Sequence, residues 1–139
     1  MQVKIKLLKP EAKLPQYSRP GDAGLDVFSC EDYELIPGER HVFKLGFALE
    51  IPLGTVSLFW DRGGMATAGI HSIGGVIDSN YRGEYCLVLY NLSDKPYQIL
   101  TGDKIGQLII QKFEQAEFEQ VAELSESNRG AKGWFSSGK

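Results

Sequence analysis

The sequence predicts an all-β fold, and three observations lead to that prediction. First, there are 16 glycines and 6 prolines among the 139 residues, which is the composition expected where many turns join short strands. Second, several segments alternate apolar and polar residues at a period of two, the pattern of β-strands. Third, turn-forming sequences recur about every 8–12 residues, the spacing typical of a sandwich or a barrel.

The expected strands follow in chain order from the alternating or densely apolar segments. These are residues 2–7, 47–51, 55–60, 85–90 and 104–113. The first places Val3, Ile5 and Leu7 on one face, which predicts a half-buried strand. The segments 55–60 and 85–90 are richer in apolar and aromatic side chains, so we expect inner strands there.

The C-terminal part of the chain changes character twice. Residues 114–124 (EQAEFEQVAEL) are rich in helix formers, so propensity favours a helix, although their alternation also allows a strand. Residues 125–139 are rich in glycine and serine and have little to bury. We therefore expect one core domain over residues 1–124, followed by a mobile tail over residues 125–139.

The composition argues against several classes of partner. The net charge is −3, whereas proteins that bind nucleic acid through its phosphates usually have an excess of basic residues or a basic patch. No run approaches the roughly 18 apolar residues of a membrane span, and no signal peptide is evident. Cys30 and Cys86 fit neither a metal nor a disulfide spacing, which predicts buried free thiols. We expect a cytoplasmic protein with neither nucleic acid nor membrane as partner.

Five segments combine glycine with charged or polar side chains: residues 22–27, 60–66, 74–84, 102–109 and 129–138. In the first, Asp26 could face the water shell of a hard cation, although an acid beside a turn is also ordinary. In the second, Arg62 precedes two glycines. Arginine binds phosphate bidentately and glycine lets backbone N–H groups approach an anion, but a flexible loop would look the same.

The other three segments also allow two interpretations each. Residues 74–84 predict a β-hairpin that aims Asp78 and Tyr81 at a small ligand, although Asp, Ser and Asn are common in any turn. Gln107 stands in an apolar strand and needs either a structural hydrogen bond or a phosphate oxygen. The tail carries Arg129 with Trp134 and Phe135. Such aromatics favour a segment that folds over a flat, charged ligand.

Taken in this order, the five segments resemble the five motifs of the trimeric dUTP diphosphatases, or dUTPases. The resemblance runs from about residue 18 to the C-terminus, and GVIDSNYRGE is its most specific part, followed by GDKIGQLI and SESNRG. It implies a jelly-roll-like distorted β-barrel and a homotrimer whose active sites are shared between subunits. The mobile tail of one chain would close over such a site. It also implies that residues 114–124 are extended rather than helical.

The resemblance implies Mg²⁺-dependent hydrolysis of dUTP to dUMP and pyrophosphate, which keeps dUTP low and supplies dUMP for dTTP synthesis. Asp78 matches the aspartate that activates the attacking water, and Asp26 matches the one that meets the metal through water. Phosphate contacts fall to Arg62, Gly63, Gly64, Gln107 and Arg129. Tyr81 matches the residue that packs on the sugar, and the backbone of Gly75, Val76 and Ile77 matches the part that pairs with the edge of uracil. Trp134 or Phe135 matches the aromatic residue that stacks on the base.

The sequence departs from the family pattern at two places, which keeps alternatives open. Gly63 stands where the family usually has serine, and the loss of one transition-state donor can cost roughly 10²–10³ in rate. A dUTP-binding regulatory protein with weak catalysis is therefore an alternative. The tail reads Trp134-Phe135 where the family usually has Phe-Gly. A dCTP deaminase of the same fold would need a glutamate base in place of this Asp-Ser-Asn-Tyr sequence, and composition also allows a non-enzymatic β-sandwich.

Overall fold

The structure is a computed structural model that describes residues 1–130 and 133. Within these residues the chain forms eleven strands and one short helix. In chain order they are β1 (Lys4–Leu7), β2 (Leu25–Phe28), β3 (Tyr33–Leu35), β4 (Arg40–Lys44), β5 (Phe47–Glu50), β6 (Thr55–Trp60), α1 (Gly63–Thr67), β7 (Ile70–Ser72), β8 (Val76–Asp78), β9 (Cys86–Asn91), β10 (Tyr97–Ile99) and β11 (Lys104–Lys112). The predicted all-β class is confirmed.

The strands form four antiparallel groups. The order β2-β11-β6-β8 makes the largest sheet, β4-β9-β7 makes a second, and β1-β5 and β3-β10 are two-stranded. Most neighbours are distant in sequence, as in jelly rolls and barrels rather than meanders. The predicted inner strands β6 and β9 each lie between two partners, which confirms their assignment.

The core lies between these sheets and follows the predicted alternation. Phe47, Leu49 and Ile51 are each at most 4% exposed, so this segment behaves as the period-two pattern requires. Tyr85 and Phe43 are among the largest fully buried side chains. The resulting framework holds β2, β8 and β11, the strands that carry Asp26, residues 76–78 and Gln107.

One buried polar side chain ties several loops to this core. Asn91 is fully buried, and its amide donates hydrogen bonds to the carbonyls of Leu35 and Lys95, both at 2.8 Å. Its Oδ1 accepts from the backbone N–H of Ser93 at 2.9 Å and from the Ser93 hydroxyl at 2.7 Å. Because burial of an unbonded amide is costly, this complete set of partners is what permits an asparagine here.

The strand predicted at residues 2–7 is confirmed over residues 4–7, but the prediction that it is half-buried is wrong for the single chain. All four residues of β1 are exposed, since among the described residues β1 pairs with β5 alone. Ile5 of β1 and Val3, which precedes the strand, line an open apolar groove of about 310 Å³ together with Leu14 and Tyr17. Alternation identified the strand but not what covers its apolar face.

The predicted β-hairpin over residues 74–84 is also wrong. β8 pairs with β6, whereas the next strand, β9, pairs with β4 and β7 in the other sheet. Seven residues, 79–85, separate the two strands, which is longer than the usual hairpin loop. The chain therefore crosses between sheets at this point, and the turn after Asp78 lies at the crossing.

Residues 114–124 form no helix, as the resemblance implied, but they also form no strand with any described residue. Phe118 is 97% exposed and Leu124 is 88% exposed, so an apolar face that would stabilise a helix has nothing to pack against. Residues 125–130 are exposed throughout. The division into a core of residues 1–124 and a mobile tail of residues 125–139 stays a prediction.

Two further expectations concern the thiols and the membrane. Cys30 and Cys86 are free, as predicted, but each is half-buried rather than buried, and burial raises the pKa of both thiols. None of the helices in the described part of the chain is long and apolar enough to cross a membrane.

Candidate functional site

Strand register brings three of the predicted site segments together. In the largest sheet, Gln107 of β11 pairs with Asp26 of β2 on one side and with Trp60 of β6 on the other. Arg62 follows two residues after Trp60. The first, second and fourth segments therefore meet at one end of the sheet, where a cleft of about 480 Å³ is lined by Ser18, Arg19, Asp22, Ala23, Gly24, Asp26, Arg62, Gln107 and Ile109. We call it the phosphate cleft.

Asp26 is the electrostatic centre of this cleft. It is 5% exposed, and its Oδ2 accepts from the Lys104 ammonium at 2.6 Å and the Ser18 hydroxyl at 2.5 Å. Its Oδ1 lies 3.2 Å from Nε of Arg62. Burial raises the pKa of Asp26, but the hydrogen bonds from Lys104 and Ser18 and the charges of Lys104 and Arg62 outweigh burial and place it below its ordinary value. The carboxylate is ionised at neutral pH.

The same network orients the guanidinium of Arg62. Its Nη1 donates to the carbonyl of Lys104 at 3.2 Å, and its Nε faces Asp26. With Nη1 bonded to this carbonyl and the guanidinium paired with Asp26, the remaining N–H groups of Arg62 point in a fixed direction, which suits recognition of phosphate. Sequence reasoning missed Lys104 and Ser18 as partners of Asp26, although both lie in or beside the segments that it singled out.

The two glycines after Arg62 begin helix α1. A Cβ atom on Gly63 or Gly64 would meet nothing within 4 Å, so both face open space. The first backbone N–H groups of a helix have no intrahelical partner and are available to an anion. Thr67 in the same helix donates its hydroxyl to the carbonyl of Gly64 at 2.9 Å, so it does not stand in for the serine that the family has at residue 63.

A second cleft lies along β8 and the crossing that follows it. Its volume is about 300 Å³, and it is lined by Gly75, Val76, Ile77, Asp78, Asn80, Tyr81, Glu84 and Cys86. We call it the nucleoside cleft. It gathers all predicted residues of the third segment, although the segment is not the hairpin that was expected.

Backbone contacts fix the shape of the nucleoside cleft. The Tyr81 N–H donates to the carbonyl of Asp78 at 3.1 Å, and the Tyr81 hydroxyl donates to the carbonyl of Glu84 at 3.0 Å. Gly75 has a φ of 131°, and a Cβ there would lie 2.9 Å from Cβ of Phe59. Only glycine allows this close approach of β8 to β6, which places the backbone of residues 75–77 on the cleft wall.

The two clefts are separate within one chain. Asp78 pairs with Val56 and Gln107 pairs with Trp60, which places them at opposite ends of β6 and on opposite sides of it. Strand rise and spacing put the two residues about 13 Å apart along β6 and about 10 Å across it, or roughly 16 Å in total. The structure thus forms two groups of predicted residues and does not bring Asp78 to Arg62 and Gln107.

The fifth segment contributes little to either cleft in the described residues. Arg129 is exposed and donates a hydrogen bond to the carbonyl of Gly133 at 3.2 Å. Trp134 and Phe135, the predicted stacking residues, lie outside the described residues.

The donor set of the phosphate cleft fits Mg²⁺ held mainly by a ligand's phosphates. The described residues contain no group of three or more His, Cys, Asp or Glu side chains that could hold a metal ion. Mg²⁺ commonly keeps several waters and binds through one or two carboxylates plus substrate phosphates. Because Nε of Arg62 makes no hydrogen bond to Asp26 despite its proximity, Oδ1 of Asp26 keeps capacity to accept from a water.

Similarity to known proteins shows the family of this chain. A dUTPase family profile matches residues 10–138. The deoxyuridine 5'-triphosphate nucleotidohydrolase of Corynebacterium glutamicum is 43% identical over 99% of this chain and 95% of its own, and that of Clostridium tetani is 41% identical over 99% and 97%. The Staphylococcus bacteriophage 80alpha dUTPase, solved with dUpNHpp, superposes with a TM-score of 0.92 at 31% identity, covering 99% of both chains. The chain belongs to the dUTPase family.

Proposed function

We propose that this protein hydrolyses dUTP to dUMP and pyrophosphate, with Asp78 activating the attacking water. The observation that carries the proposal is the division of the predicted residues into a phosphate cleft, which holds Arg62 and Gln107, and a nucleoside cleft, which holds Asp78 and Tyr81, in a chain of the dUTPase family. The relatives from Corynebacterium glutamicum and Clostridium tetani carry the name deoxyuridine 5'-triphosphate nucleotidohydrolase, and the bacteriophage 80alpha dUTPase was solved with the dUTP analogue dUpNHpp.

The proposed reaction breaks the bond between the α-phosphorus and the oxygen that bridges to the β-phosphate. Asp78 ends β8 with an exposed side chain, where its carboxylate can accept a proton from water and direct the oxygen at phosphorus. Hydrogen-bond donors, charged and neutral, then stabilise the charge on the phosphate oxygens, usually the larger contribution in phosphoryl transfer. Arg62, Gln107 and the N–H groups of Gly63 and Gly64 supply those donors.

Mg²⁺ completes the proposal as the cofactor. Asp26 would meet it through water, while the triphosphate holds it directly. When bound, the ion neutralises phosphate charge and fixes the conformation of the triphosphate. A mutant of the phage phi11 dUTPase from S. aureus, similar to this chain at 28% identity and a TM-score of 0.84, coordinates a structural Mg(II) ion.

Selectivity for dUTP is assigned to the nucleoside cleft. The ring of Tyr81 is held by the bond from its hydroxyl to Glu84 and by edge contact with Tyr85, with ring centroids 6.0 Å apart. Pressed on C2′ of the sugar, this ring leaves no room for a 2′-hydroxyl. The backbone of residues 75–77 would pair with the edge of uracil, and its close packing excludes the 5-methyl group of thymine.

We also propose that the enzyme is a homotrimer whose sites are shared between subunits. The roughly 16 Å between Asp78 and Gln107 supports this, because one triphosphate must reach both the water-activating carboxylate and the phosphate donors. The tail residues Arg129 and Trp134 or Phe135 would come from a further chain and cover the nucleotide. A cytoplasmic location belongs to the same proposal.

Mixed trimers test the sharing of sites. Asp78→Asn and Arg62→Ala should each be inactive alone, because each removes one half of every site. If an active site joins Asp78 of one subunit to Arg62 of another, unfolding and refolding the two variants together restores a fraction of wild-type pyrophosphate release. No recovery from mixtures that form mixed trimers would show that each site is built by one chain.

Substrate comparison tests the activity itself. Pyrophosphate release should be measured with Mg²⁺ and dUTP, dCTP, dTTP or UTP, and turnover of dUTP alone is expected. Tight binding of dUTP without turnover would favour the regulatory alternative, with Gly63 as the cause. Ammonia release from dCTP would instead indicate a deaminase.

A further inference from the structure

A carboxylate next to Arg62 has no part in the reaction proposed above. Asp61 lies between the end of β6 and the start of α1. Its Oδ1 accepts two hydrogen bonds from Ser72, one from the backbone N–H and one from the hydroxyl, each at 2.6 Å. Its Oδ2 contacts Nδ1 of His71. Three donors from the end of β7 therefore converge on one carboxylate.

The Asp61 carboxylate is largely shielded from solvent and is ionised. Its side chain is 23% exposed. Burial raises its pKa, but the hydrogen bonds from Ser72 and from His71, with the charge of His71, outweigh burial and place the pKa below its ordinary value. Hydrogen bonds to an ionised acceptor are roughly twice as strong as those between neutral groups. Asp61 is therefore a firm attachment between two parts of the chain.

These two parts differ in how well they are held. Ser72 pairs with Leu89 of the central strand β9, and the next residue, Ile73, donates its N–H to the carbonyl of Val88 at 3.0 Å. By contrast, α1 has only five residues, no side-chain hydrogen bond at its N-terminal cap, and one buried side chain, that of Met65. A helix this short has little stability of its own, and the two glycines that begin it add backbone freedom.

We propose that Asp61 is a positioning residue that fixes Arg62 and the first turn of α1 by attaching them to the end of β7. The proposal rests on the proposed function, because the groups that Asp61 would hold in place are the phosphate donors. We call this part of the chain, Arg62 and the first turn of α1, the Arg62 corner. Arg62 is anchored on its other side by Asp26 and the carbonyl of Lys104. Asp61 supplies the second anchor, which Arg62 and the glycines need to meet the phosphates reproducibly.

Kinetics of Asp61 variants give the first test. Asp61→Ala should lower kcat with dUTP by about 10²-fold, the cost of a displacement near 1 Å in donor groups. KM should change much less, because the contacts of the nucleoside cleft are untouched. Asp61→Asn keeps an oxygen for the Ser72 donors and should recover most of the loss. Ser72→Ala leaves the backbone bond and should have a smaller effect than Asp61→Ala.

Glu31→Ala is the matched control, because it also breaks a carboxylate–histidine contact, that of Glu31 with His41 at 3.3 Å. Neither of these residues lines the phosphate cleft or the nucleoside cleft. Glu31→Ala should therefore keep wild-type kcat. An equal loss of kcat in Glu31→Ala, or no rescue by Asp61→Asn, would overturn the positioning role.

Hydrogen exchange provides a readout that does not depend on activity. Amide exchange over residues 62–68, followed by mass spectrometry on the full-length protein, should be at least several-fold faster in Asp61→Ala than in wild type or Glu31→Ala. Unchanged exchange there would refute the proposal. If the wild type does not act on dUTP, the proposed function fails, and the exchange result alone still decides whether Asp61 holds the Arg62 corner.

Discussion

Replacing Gly63 by serine should increase the turnover of dUTP. The position accepts the change, because a Cβ there would meet nothing within 4 Å and Gly63 is not among the glycines with positive φ. The backbone N–H of residue 63 is kept, so the new hydroxyl adds a hydrogen-bond donor at the start of α1 without removing one. The substitution therefore isolates the effect of the side chain that the family usually has.

The magnitude follows from the two effects of the substitution. One transition-state donor is worth roughly 10²–10³ in kcat, and the backbone N–H that is already present places the expected gain at the lower end, about 10². Serine is also a better helix former than glycine by about 0.5 kcal/mol, which should raise Tm by a few degrees at most.

Gly64→Ser is the matched control for this prediction. Gly64 is also in the first turn of α1, and its Cβ would likewise meet nothing within 4 Å, so both variants should gain the same stability. Steady-state pyrophosphate release, with Tm measured on the same samples, separates the two effects. A gain in kcat that is equal in both variants, or absent from Gly63→Ser, would refute the argument that the missing hydroxyl limits the rate.

Three other predictions concern stability and the tail. Asp26→Asn should lower the free energy of unfolding at neutral pH by roughly 2 kcal/mol, below the 3–5 of a fully buried pair because Arg62 and Lys104 are each about one-third exposed. Because the pKa of Asp26 is lowered in the folded protein from 3.8, its stabilisation is present above that value and is lost as pH falls through the folded pKa, so the variant should lose less stability than wild type below pH 4 in acid titrations. Asn91→Ala should cost about 3 kcal/mol by urea denaturation, since the four hydrogen bonds of a fully buried side chain are lost, one of them to the buried Leu35; a cost below 1 kcal/mol would contradict this. Deletion of residues 128–139 should abolish most dUTP turnover while Tm stays within a few degrees of wild type, and full activity of the truncated chain would contradict the role of the tail.

Sequence patterns predicted the buried strands well and the pairing between strands poorly. Period two identified β5, and the density of apolar and aromatic residues identified β6 and β9, because each strand has a buried face that selects apolar residues. The same pattern could not show that the apolar face of β1 is uncovered. It also could not show that β8 pairs with the preceding strand β6 and not with the following strand β9. Pairing depends on contacts between residues distant in sequence, for which one sequence gives no direct signal.

The candidate site shows the same limit at the level of single residues. Asp26, Arg62 and Gln107 were each identified from local chemistry, and strand register then brought them into one cleft. The ion pair of Asp26 with Lys104 links residues 78 positions apart, and no spacing rule connects them. The attachment of Asp61 to Ser72 was missed for a similar reason, since a single aspartate before the arginine carries no pattern of its own.

The most direct test of the account compares wild type with Asp78→Asn on dUTP. Removal of a general base typically costs about 10²–10⁴ in rate, and asparagine keeps the shape of the side chain. The account predicts that pyrophosphate release falls by at least about 10²-fold while the affinity for dUpNHpp, measured by calorimetry with Mg²⁺, stays close to that of wild type. Pyrophosphate release by Asp78→Asn at the wild-type rate would contradict the central claim that Asp78 activates the attacking water.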